Sequence, residues 1–155
     1  MQKTDQLLKL ENQLCFQLYS ASRMMTKLYQ PLLKPLGITY PQYLVMLVMW
    51  EKPIGSKFTV SEIGDLLLLD SGTLTPLLKR LELKRVIQRQ RDSEDERQVI
   101  VRLTPAGEAL KQQARKIPEK LLCQVGKKTD SLVAMRESLK ILVADMLAVA
   151  EPEAD

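Results

Sequence analysis

The sequence predicts a mostly α-helical fold with one small β-hairpin, and three observations support this. The 155 residues are 45% hydrophobic but only 5% aromatic, and a composition rich in Leu, Met, Lys, Glu and Gln favours helices over strands. Leucines recur at helical spacing along most of the chain. Residues 86–103 interrupt this pattern with a charged turn between two short runs, which is typical of a hairpin. The length suits one domain, 1–155, with a core of its own.

The first two predicted helices are long and apolar. Residues 5–34 form an amphipathic pattern whose end is marked by prolines and a glycine, namely Pro31, Pro35 and Gly37. A second helix begins behind Thr39, with Pro41 in its first turn, and runs to Glu51. Because it is apolar on nearly all sides, we expect it to be central and buried. The loop 52–57 and a short extended piece, 58–60, then lead to a helix that opens at Ser61 and Glu62.

The next helix, Asp70–Leu83, is the predicted reading element of the fold. Its apolar residues share one face, namely Leu74, Leu77, Leu78 and Leu81. Asp70, Ser71 or Thr73 is the expected cap. Pro76 is expected in the first turn, where its missing N–H costs no hydrogen bond. Taken alone, this segment is equally compatible with an ordinary surface helix.

A predicted hairpin follows this helix directly. Residues 86–91 and 98–103 are the strands, and the charged residues 92–97 form the exposed turn. A hairpin in this position, behind two helices joined by a short turn, is the wing of a winged helix-turn-helix. Residues 40–103 are therefore predicted to bind DNA, and the net charge of +4 favours a polyanionic partner.

The candidate DNA-binding residues lie on the reading helix and the wing. Small and hydroxyl-bearing residues begin the helix, longer donors follow, and arginines line the hairpin: Ser71, Gly72, Thr73, Thr75, Pro76, Lys79, Arg80, Arg89 and Arg97. Such groups can fix phosphates or read base edges, and the sequence does not assign which does which. Asp95 is the candidate wing-positioning residue, because a neighbouring carboxylate would order an arginine for a narrow minor groove. The alternative is a solvated acidic turn.

The terminal segments are predicted to form dimerisation helices. Thr104 and Pro105 start a helix that continues past Cys123 with a kink at Pro118, and residues 126–130 turn into a last helix, 131–150. The apolar faces of 5–36 and 104–150 exceed what a small winged core could cover. We therefore expect a two-fold homodimer, with a monomer as the alternative.

The residues that are missing narrow the function. The chain has no histidine, which excludes Ser-His-Asp catalysis and histidine metal ligation. Its two cysteines form no CxxC motif, so neither a zinc site nor a thioredoxin motif is indicated, and we expect no cofactor. The longest apolar run, Tyr43–Trp50, is too short to span a bilayer, and the sequence shows no signal segment. We expect a cytoplasmic protein without a membrane partner.

Four stretches of the sequence together resemble the MarR family, and more closely its organic hydroperoxide resistance repressor branch. They are ITYPQYLVML (38–47), TVSEIG (59–64), LDSGTLTPLLKRLE (69–82) and DER (95–97). The resemblance implies a non-enzymatic, winged-helix homodimeric repressor of double-stranded operator DNA. In it, helix 70–83 would enter the major groove and Arg97 the minor groove.

The same resemblance gives the cysteines a role. Taken alone, Cys15 among its apolar neighbours would most often be buried and unreactive. The resemblance instead implies that an organic hydroperoxide oxidises Cys15 to a sulfenic acid, with Tyr29 and Tyr40 as partners of the thiolate. A straight helix would separate Cys15 from Tyr29 by about 21 Å, so these tyrosines would come from the other subunit.

Cys123 matches the position that distinguishes the two-cysteine members of this branch. The resemblance therefore implies an intersubunit disulfide between Cys15 and Cys123, whose formation moves helices and releases DNA. Two alternatives remain open at this stage. One is a MarR-type repressor switched by a small phenolic ligand, with structural cysteines, and the other is a thiol peroxidase working through Cys15.

Overall fold

The computed structural model describes residues 3–126 and 129–150. The chain divides into two compact units, one that ends at Ile117 and one that begins at Pro118. The elements are α1 (Lys3–Leu7), a 3₁₀ turn (Leu10–Asn12), α2 (Leu14–Leu33), a 3₁₀ turn (Lys34–Leu36), α3 (Tyr40–Glu51), β1 (Lys57–Thr59), α4 (Val60–Leu67), α5 (Ser71–Leu83), β2 (Ile87–Arg91), β3 (Val99–Leu103), α6 (Pro105–Ala114), α7 (Ile117–Val125) and α8 (Thr129–Ala150).

The predicted fold class is confirmed: the chain is mostly helical, with one small antiparallel sheet. The predicted hairpin is present as β2 and β3, and β1 pairs with the other edge of β3, giving the strand order β1-β3-β2. Helix α4 begins at Val60 rather than at Ser61. The reason is Thr59, whose hydroxyl accepts the Glu62 N–H at 3.1 Å and so ends the strand and caps the helix.

The prediction of one continuous helix over residues 5–34 is wrong. The chain leaves the helix after Leu7 and re-enters it at Leu14. Two side-chain amides explain the break: Asn12 donates to the Gln6 carbonyl at 2.7 Å, and Gln13 donates to the Leu7 carbonyl. Such bonds compete with the helical ladder. Further along, Pro31 lies inside α2, which continues to Leu33.

The predicted helix that begins at Pro105 is also interrupted. It ends at Ala114, and α7 starts at Ile117, so the kink expected at Pro118 is a full break just before that proline. Because proline restricts the residue before it and cannot donate a backbone hydrogen bond, it suits the start of α7. The last helix starts at Thr129, and residues 127 and 128 of the predicted turn lie outside the described residues. The predicted boundaries of DNA-binding and dimerisation regions stay predictions.

Helix α3 occupies the centre of the core of the first unit, as its apolar sequence predicts. Tyr43, Val45, Met46 and Met49 are at most 2% exposed. The neighbouring Trp50 is tied to α6, because its indole Nε1 donates to the Gly107 carbonyl at 3.0 Å. The winged region is thereby fixed to the segment that follows it. Among residues 3–126 and 129–150, no helix has the length and apolar character needed to cross a bilayer.

Helix α6 closely approaches the residue before β2 and the end of β3 at Gly107. A Cβ added there would lie 2.1 Å from the Val86 carbonyl oxygen and 2.6 Å from Leu103 Cδ1. Backbone atoms cannot yield as a flexible side chain does, so only glycine lets α6 approach the start of β2.

We predict that Gly107→Ala destabilises the protein by about 1–3 kcal/mol, because the new methyl overpacks the core. Helix propensity alone predicts the opposite sign, since alanine favours a helix by about 1 kcal/mol over glycine. Urea unfolding of Gly107→Ala measures the combined effect of overpacking and helix propensity. Urea unfolding of Ala109→Gly, on the exposed side of α6, measures the effect of helix propensity alone. An unchanged or raised urea midpoint for Gly107→Ala would contradict the close packing.

Candidate DNA interface and cysteine site

The reading helix α5 is oriented by its buried face. Leu74, Leu78 and Leu81 are each 0% exposed, and they recur at the spacing of one helical stripe. Of the three candidate caps, Asp70 is the residue used. Its Oδ1 accepts the Thr73 N–H and its Oδ2 accepts the Thr73 hydroxyl, both at 2.8 Å. The bond from the Thr73 N–H is the main cause that lowers the pKa of Asp70 from its ordinary value.

The opposite face of α5 carries the predicted DNA-binding residues. The exposed ones are Ser71, Gly72, Thr73, Pro76, Lys79 and Arg80, while Thr75 is half-buried. The expected position of Pro76 is wrong: it is the sixth residue of α5, in the second turn. Because Asp70 is the cap, the helix begins at Ser71, about one turn before the start that would place Pro76 in the first turn. The carbonyl that would have accepted a bond from residue 76 belongs to Gly72.

The turn between α4 and α5 is tight. Leu68 adopts a left-handed conformation with φ of 54°, and the Leu69 N–H donates back to the Gly64 carbonyl at 2.9 Å. A Cβ at position 64 would approach the Leu69 carbonyl oxygen to 2.8 Å, so glycine is required there. This turn holds α4 and α5 as a helix-turn-helix.

The wing turn is organised by Asp95. Its Oδ1 accepts the backbone N–H of Arg97 at 3.1 Å, its Oδ2 accepts Gln98 Nε2 at 3.2 Å, and its carbonyl accepts the Gln98 N–H at 2.9 Å. These contacts fix the backbone from which the exposed Arg97 side chain extends. Within the described residues, no ion pair joins Asp95 to the Arg97 guanidinium, so the expected ordering acts through the main chain.

A cleft of about 750 Å³ lies between α4, α5 and the wing. It brings together four of the sequence-predicted residues, Ser71, Thr75, Arg89 and Arg97. The other five predicted residues, Gly72, Thr73, Pro76, Lys79 and Arg80, are absent from its lining. The predicted residues therefore form two adjoining surfaces, a cleft wall and the outer stripe of the reading helix.

Sequence reasoning missed Glu82, which lies in the last turn of α5. Arg89 donates to Glu82 Oε2 through Nε at 3.0 Å and through Nη2 at 2.7 Å. The backbone N–H of Arg89 donates to Oε1 at 2.9 Å. The side-chain bond from Arg89 is the main cause that lowers the pKa of Glu82. A spacing of seven residues across a helix-to-strand junction carries no sequence signal that predicts this pair.

The two tyrosines predicted to serve one site are adjacent. The rings of Tyr29, on α2, and Tyr40, on α3, stack with centroids 4.7 Å apart, and Tyr43 lies 5.5 Å from Tyr29. Burial is the main cause that raises the pKa of Tyr29 to about 12. It also raises the pKa of Tyr40. Both hydroxyls are therefore protonated near neutral pH and able to donate a hydrogen bond. Tyr43 was missed, although its place one turn after Tyr40 on α3 is visible in the sequence.

Both cysteines are free and exposed in the single protomer, so the burial that its apolar neighbours predict for Cys15 is wrong here. Cys15 is the second residue of α2, in its first turn. Tyr29 lies on the same helix about 21 Å further along its axis. Cys123 lies on α7, within the second compact unit.

Two helices joined by a tight turn, the second with a polar outer stripe, and a charged hairpin behind them define a winged helix-turn-helix DNA-binding protein. The family model described as "Transcriptional regulator SarA/Rot" matches residues 27–116. The organic hydroperoxide resistance transcriptional regulator of Bacillus subtilis (strain 168) is 48% identical over 136 residues, which are 88% of this chain and 90% of that protein.

The structure is also similar to solved regulators. One of them is AbfR, a protein of Staphylococcus epidermidis. The structure of reduced AbfR bound to DNA aligns with a TM-score of 0.78 and 37% identity over 94% of this chain and 99% of that one. Disulfide-formed AbfR aligns with a TM-score of 0.58 and 37% identity over 90% and 96%. Apo MarR from E. coli aligns with a TM-score of 0.65 and 26% identity over 84% and 96%. The chain belongs to the MarR family, in the branch of the organic hydroperoxide resistance regulators, and is a DNA-binding transcriptional regulator.

We predict that Asp70→Asn lowers stability at pH 7 and that its deficit relative to wild type shrinks as the medium is acidified. The folded-state pKa of Asp70 is depressed, so its contribution is complete above the unfolded-state value, near 3.8, and is lost as pH falls through the folded-state value. Asparagine keeps a neutral cap at every pH. Urea midpoints measured between pH 7 and pH 3 test this, and a deficit that grows on acidification would contradict it.

Proposed function

We propose that this protein is a repressor that senses organic hydroperoxides through Cys15 and leaves operator DNA when Cys15 and Cys123 of the partner subunit form a disulfide. The observation that carries the proposal is that the residues assigned to the redox site lie in two groups at opposite ends of α2. An exposed cysteine begins α2, and a pair of protonated tyrosines, Tyr29 and Tyr40, lies near the end of the same helix. In the proposed dimer, Cys15 of one copy and the tyrosine pair of the second copy together form a complete site.

The exposed apolar residues of the terminal helices support the homodimer. Leu14, Tyr19 and Met24 of α2 are each more than half exposed. Helix α8 exposes a further set in the single protomer: Val133, Met135, Leu139, Ile141, Val143, Met146, Leu147 and Val149. Apolar surface on this scale favours association. In a symmetric dimer, the tyrosines of one protomer and the cysteine of the other would form two equivalent sites.

The proposed chemistry begins with the Cys15 thiolate. Sulfur attacks the terminal oxygen of the hydroperoxide, so an S–O bond forms as the O–O bond breaks, and the released alkoxide takes up a proton and leaves as an alcohol. The product is a sulfenic acid at Cys15. Before the attack, the hydroxyls of Tyr29 and Tyr40 of the partner subunit donate hydrogen bonds to the thiolate and stabilise its charge.

The second step closes the disulfide. The thiolate of Cys123 of the partner subunit attacks the Cys15 sulfur, an S–S bond forms, and the S–O bond breaks so that hydroxide takes up a proton and leaves as water. A disulfide requires the two Cα atoms within about 7 Å. This chain aligns with disulfide-formed AbfR at a TM-score of 0.58, compared with 0.78 for reduced, DNA-bound AbfR, so the disulfide form of AbfR differs more from it, which supports a rearrangement on disulfide formation.

In the reduced dimer, we assign the outer stripe of α5 to the major groove. On this stripe, Gly72 and Pro76 permit close approach, the Thr73 hydroxyl lies at the leading end, and Lys79 and Arg80 face phosphates. The hydroxyls of Ser71 and Thr75 adjoin the stripe from the cleft wall. On the wing, Arg97 enters the minor groove from the turn that Asp95 fixes. Two such surfaces related by the dimer axis would read two half-sites.

We predict that Cys15→Ser retains DNA binding but no longer responds to peroxide, because serine cannot form a sulfenic acid or a disulfide. The probe is a duplex that the reduced wild-type protein selects from a random-sequence pool. Gel-shift titration with cumene hydroperoxide, beside a non-reducing gel, measures release and the covalent dimer. Continued release from Cys15→Ser would overturn the sensing role.

The same titration separates the alternatives. Release by a phenolic ligand such as salicylate, without release by peroxide, would favour a ligand-switched repressor. Catalytic consumption of peroxide over many turnovers, with dithiothreitol present, would favour a thiol peroxidase.

We predict that Cys123→Ser still reacts with peroxide at Cys15 but forms no covalent dimer, because the resolving thiolate is absent. The sulfenic acid should then proceed more readily to sulfinic and sulfonic acids, which intact-protein mass spectrometry detects as added oxygen atoms. Loss of DNA binding should no longer be restored by dithiothreitol after prolonged exposure. A variant that forms the covalent dimer and recovers as wild type does would exclude Cys123 as the resolving cysteine.

A further inference from the structure

The reading helix and the wing are joined by one carboxylate. All three hydrogen bonds that Arg89 directs to Glu82, two from the guanidinium and one from the backbone, use this single group and occupy both of its oxygens. Glu82 lies in the last turn of α5, and Arg89 is the middle residue of β2. The pair therefore connects the element assigned to the major groove with the strand that carries the wing.

The sheet explains why the backbone bond matters. Strand β2 pairs with β3 alone and is an edge of the sheet, so part of its backbone is free on the other side. The Glu82 carboxylate accepts the Arg89 N–H at this edge and prevents the strand from tilting away from α5. The junction between them is already constrained, because Arg85 adopts a left-handed conformation with φ of 60° and its N–H donates to the Glu82 carbonyl at 2.8 Å.

The solvent exposure of the Arg89–Glu82 pair indicates that its main role is not to stabilise the fold. The side chains of Arg89 and Glu82 are 22% and 36% exposed, and ion pairs this open to solvent contribute little to folding stability. Yet an acidic side chain next to a DNA-binding surface repels phosphates. A carboxylate kept in this place, with both oxygens engaged, is better explained by geometry than by stability or by charge.

We propose that Glu82 and Arg89 are positioning residues that hold the wing at a fixed angle to the reading helix, so that α5 and Arg97 reach their grooves together. The proposal rests on the DNA-binding part of the proposed function and is independent of the chemistry at Cys15. It assigns Arg89 a role through Glu82 rather than through direct contact with phosphate.

The test uses the reduced full-length protein and two probes, the selected duplex and a duplex of the same composition in shuffled order. Glu82→Gln removes a negative charge, which by charge alone raises affinity for both probes. The positioning role predicts the opposite for the selected duplex, a loss of about 3- to 30-fold, with affinity for the shuffled duplex unchanged or raised. Glu82→Asp keeps the charge but withdraws the carboxylate, and should show a similar selective loss.

Arg89→Ala and the double variant separate positioning from phosphate contact. If Arg89 acts through Glu82, the double variant binds no more weakly than either single variant, and the salt dependence of binding is unchanged. A direct phosphate contact would instead lower the salt slope of Arg89→Ala by about one and make the two effects additive. Either result, or a higher affinity of Glu82→Gln for the selected duplex, would overturn the proposal.

Glu94→Gln serves as the matched control, because Glu94 lies in the wing turn and its side chain makes no hydrogen bond within the described residues. It should raise affinity for both probes, as expected for loss of charge alone. Unchanged urea midpoints of the Glu82 variants confirm that a selective loss is not a loss of fold. If the wild-type protein selects no duplex, sequence-specific DNA binding is refuted, and the positioning role of Glu82 and Arg89 is refuted with it. If only the peroxide response fails, this test of the positioning role still applies.

Discussion

The burial of Leu74, Leu78 and Leu81 is the constraint on which the DNA-binding region depends. Fully burying a leucine contributes about 1.5–3 kcal/mol, so three of them outweigh a partly exposed ion pair, which contributes about 0–1 kcal/mol. Their burial fixes the rotation of α5 about its axis and turns its polar stripe outward. The core therefore sets the coarse orientation of the reading helix. Asp70 sets where the helix begins, and Glu82 links its end to the wing.

Helix α8 and the part of α2 before its last turns have no comparable anchor within the single protomer. Only Leu33, at the very end of α2, is buried, and the described side chains of α8 include none that is. In proteins, most of the stability of a helix comes from tertiary packing of its apolar face rather than from helix propensity. Stable terminal helices therefore need another surface. In the proposed dimer that surface is the second copy, which is also what completes the site of Cys15.

The sequence predicts the elements whose residues act locally. Leucine spacing predicted α5, a hydroxyl followed by proline predicted the start of α6, and charge at a turn predicted the wing. The failures arise where side-chain hydrogen bonds compete with the periodic pattern of apolar residues. Asn12 and Gln13 interrupt a helix by bonding to carbonyls six residues back. For the cysteine site, Tyr29 and Tyr40 were predicted together from a resemblance. The Glu82–Arg89 pair could be found only from the three-dimensional structure.

The position of the cysteines limits the ways in which their oxidation could change DNA binding. Neither sulfur belongs to the core, since both residues are exposed in the protomer. Adding oxygen to a buried sulfur would place a polar group among leucines and unfold the domain, whereas the first turn of α2 tolerates it. In the proposed mechanism, oxidation of Cys15 would therefore leave the winged fold intact. In the proposed mechanism, release must come from a rigid-body change between subunits, and a wing held firmly to its reading helix makes such a change effective at both grooves at once.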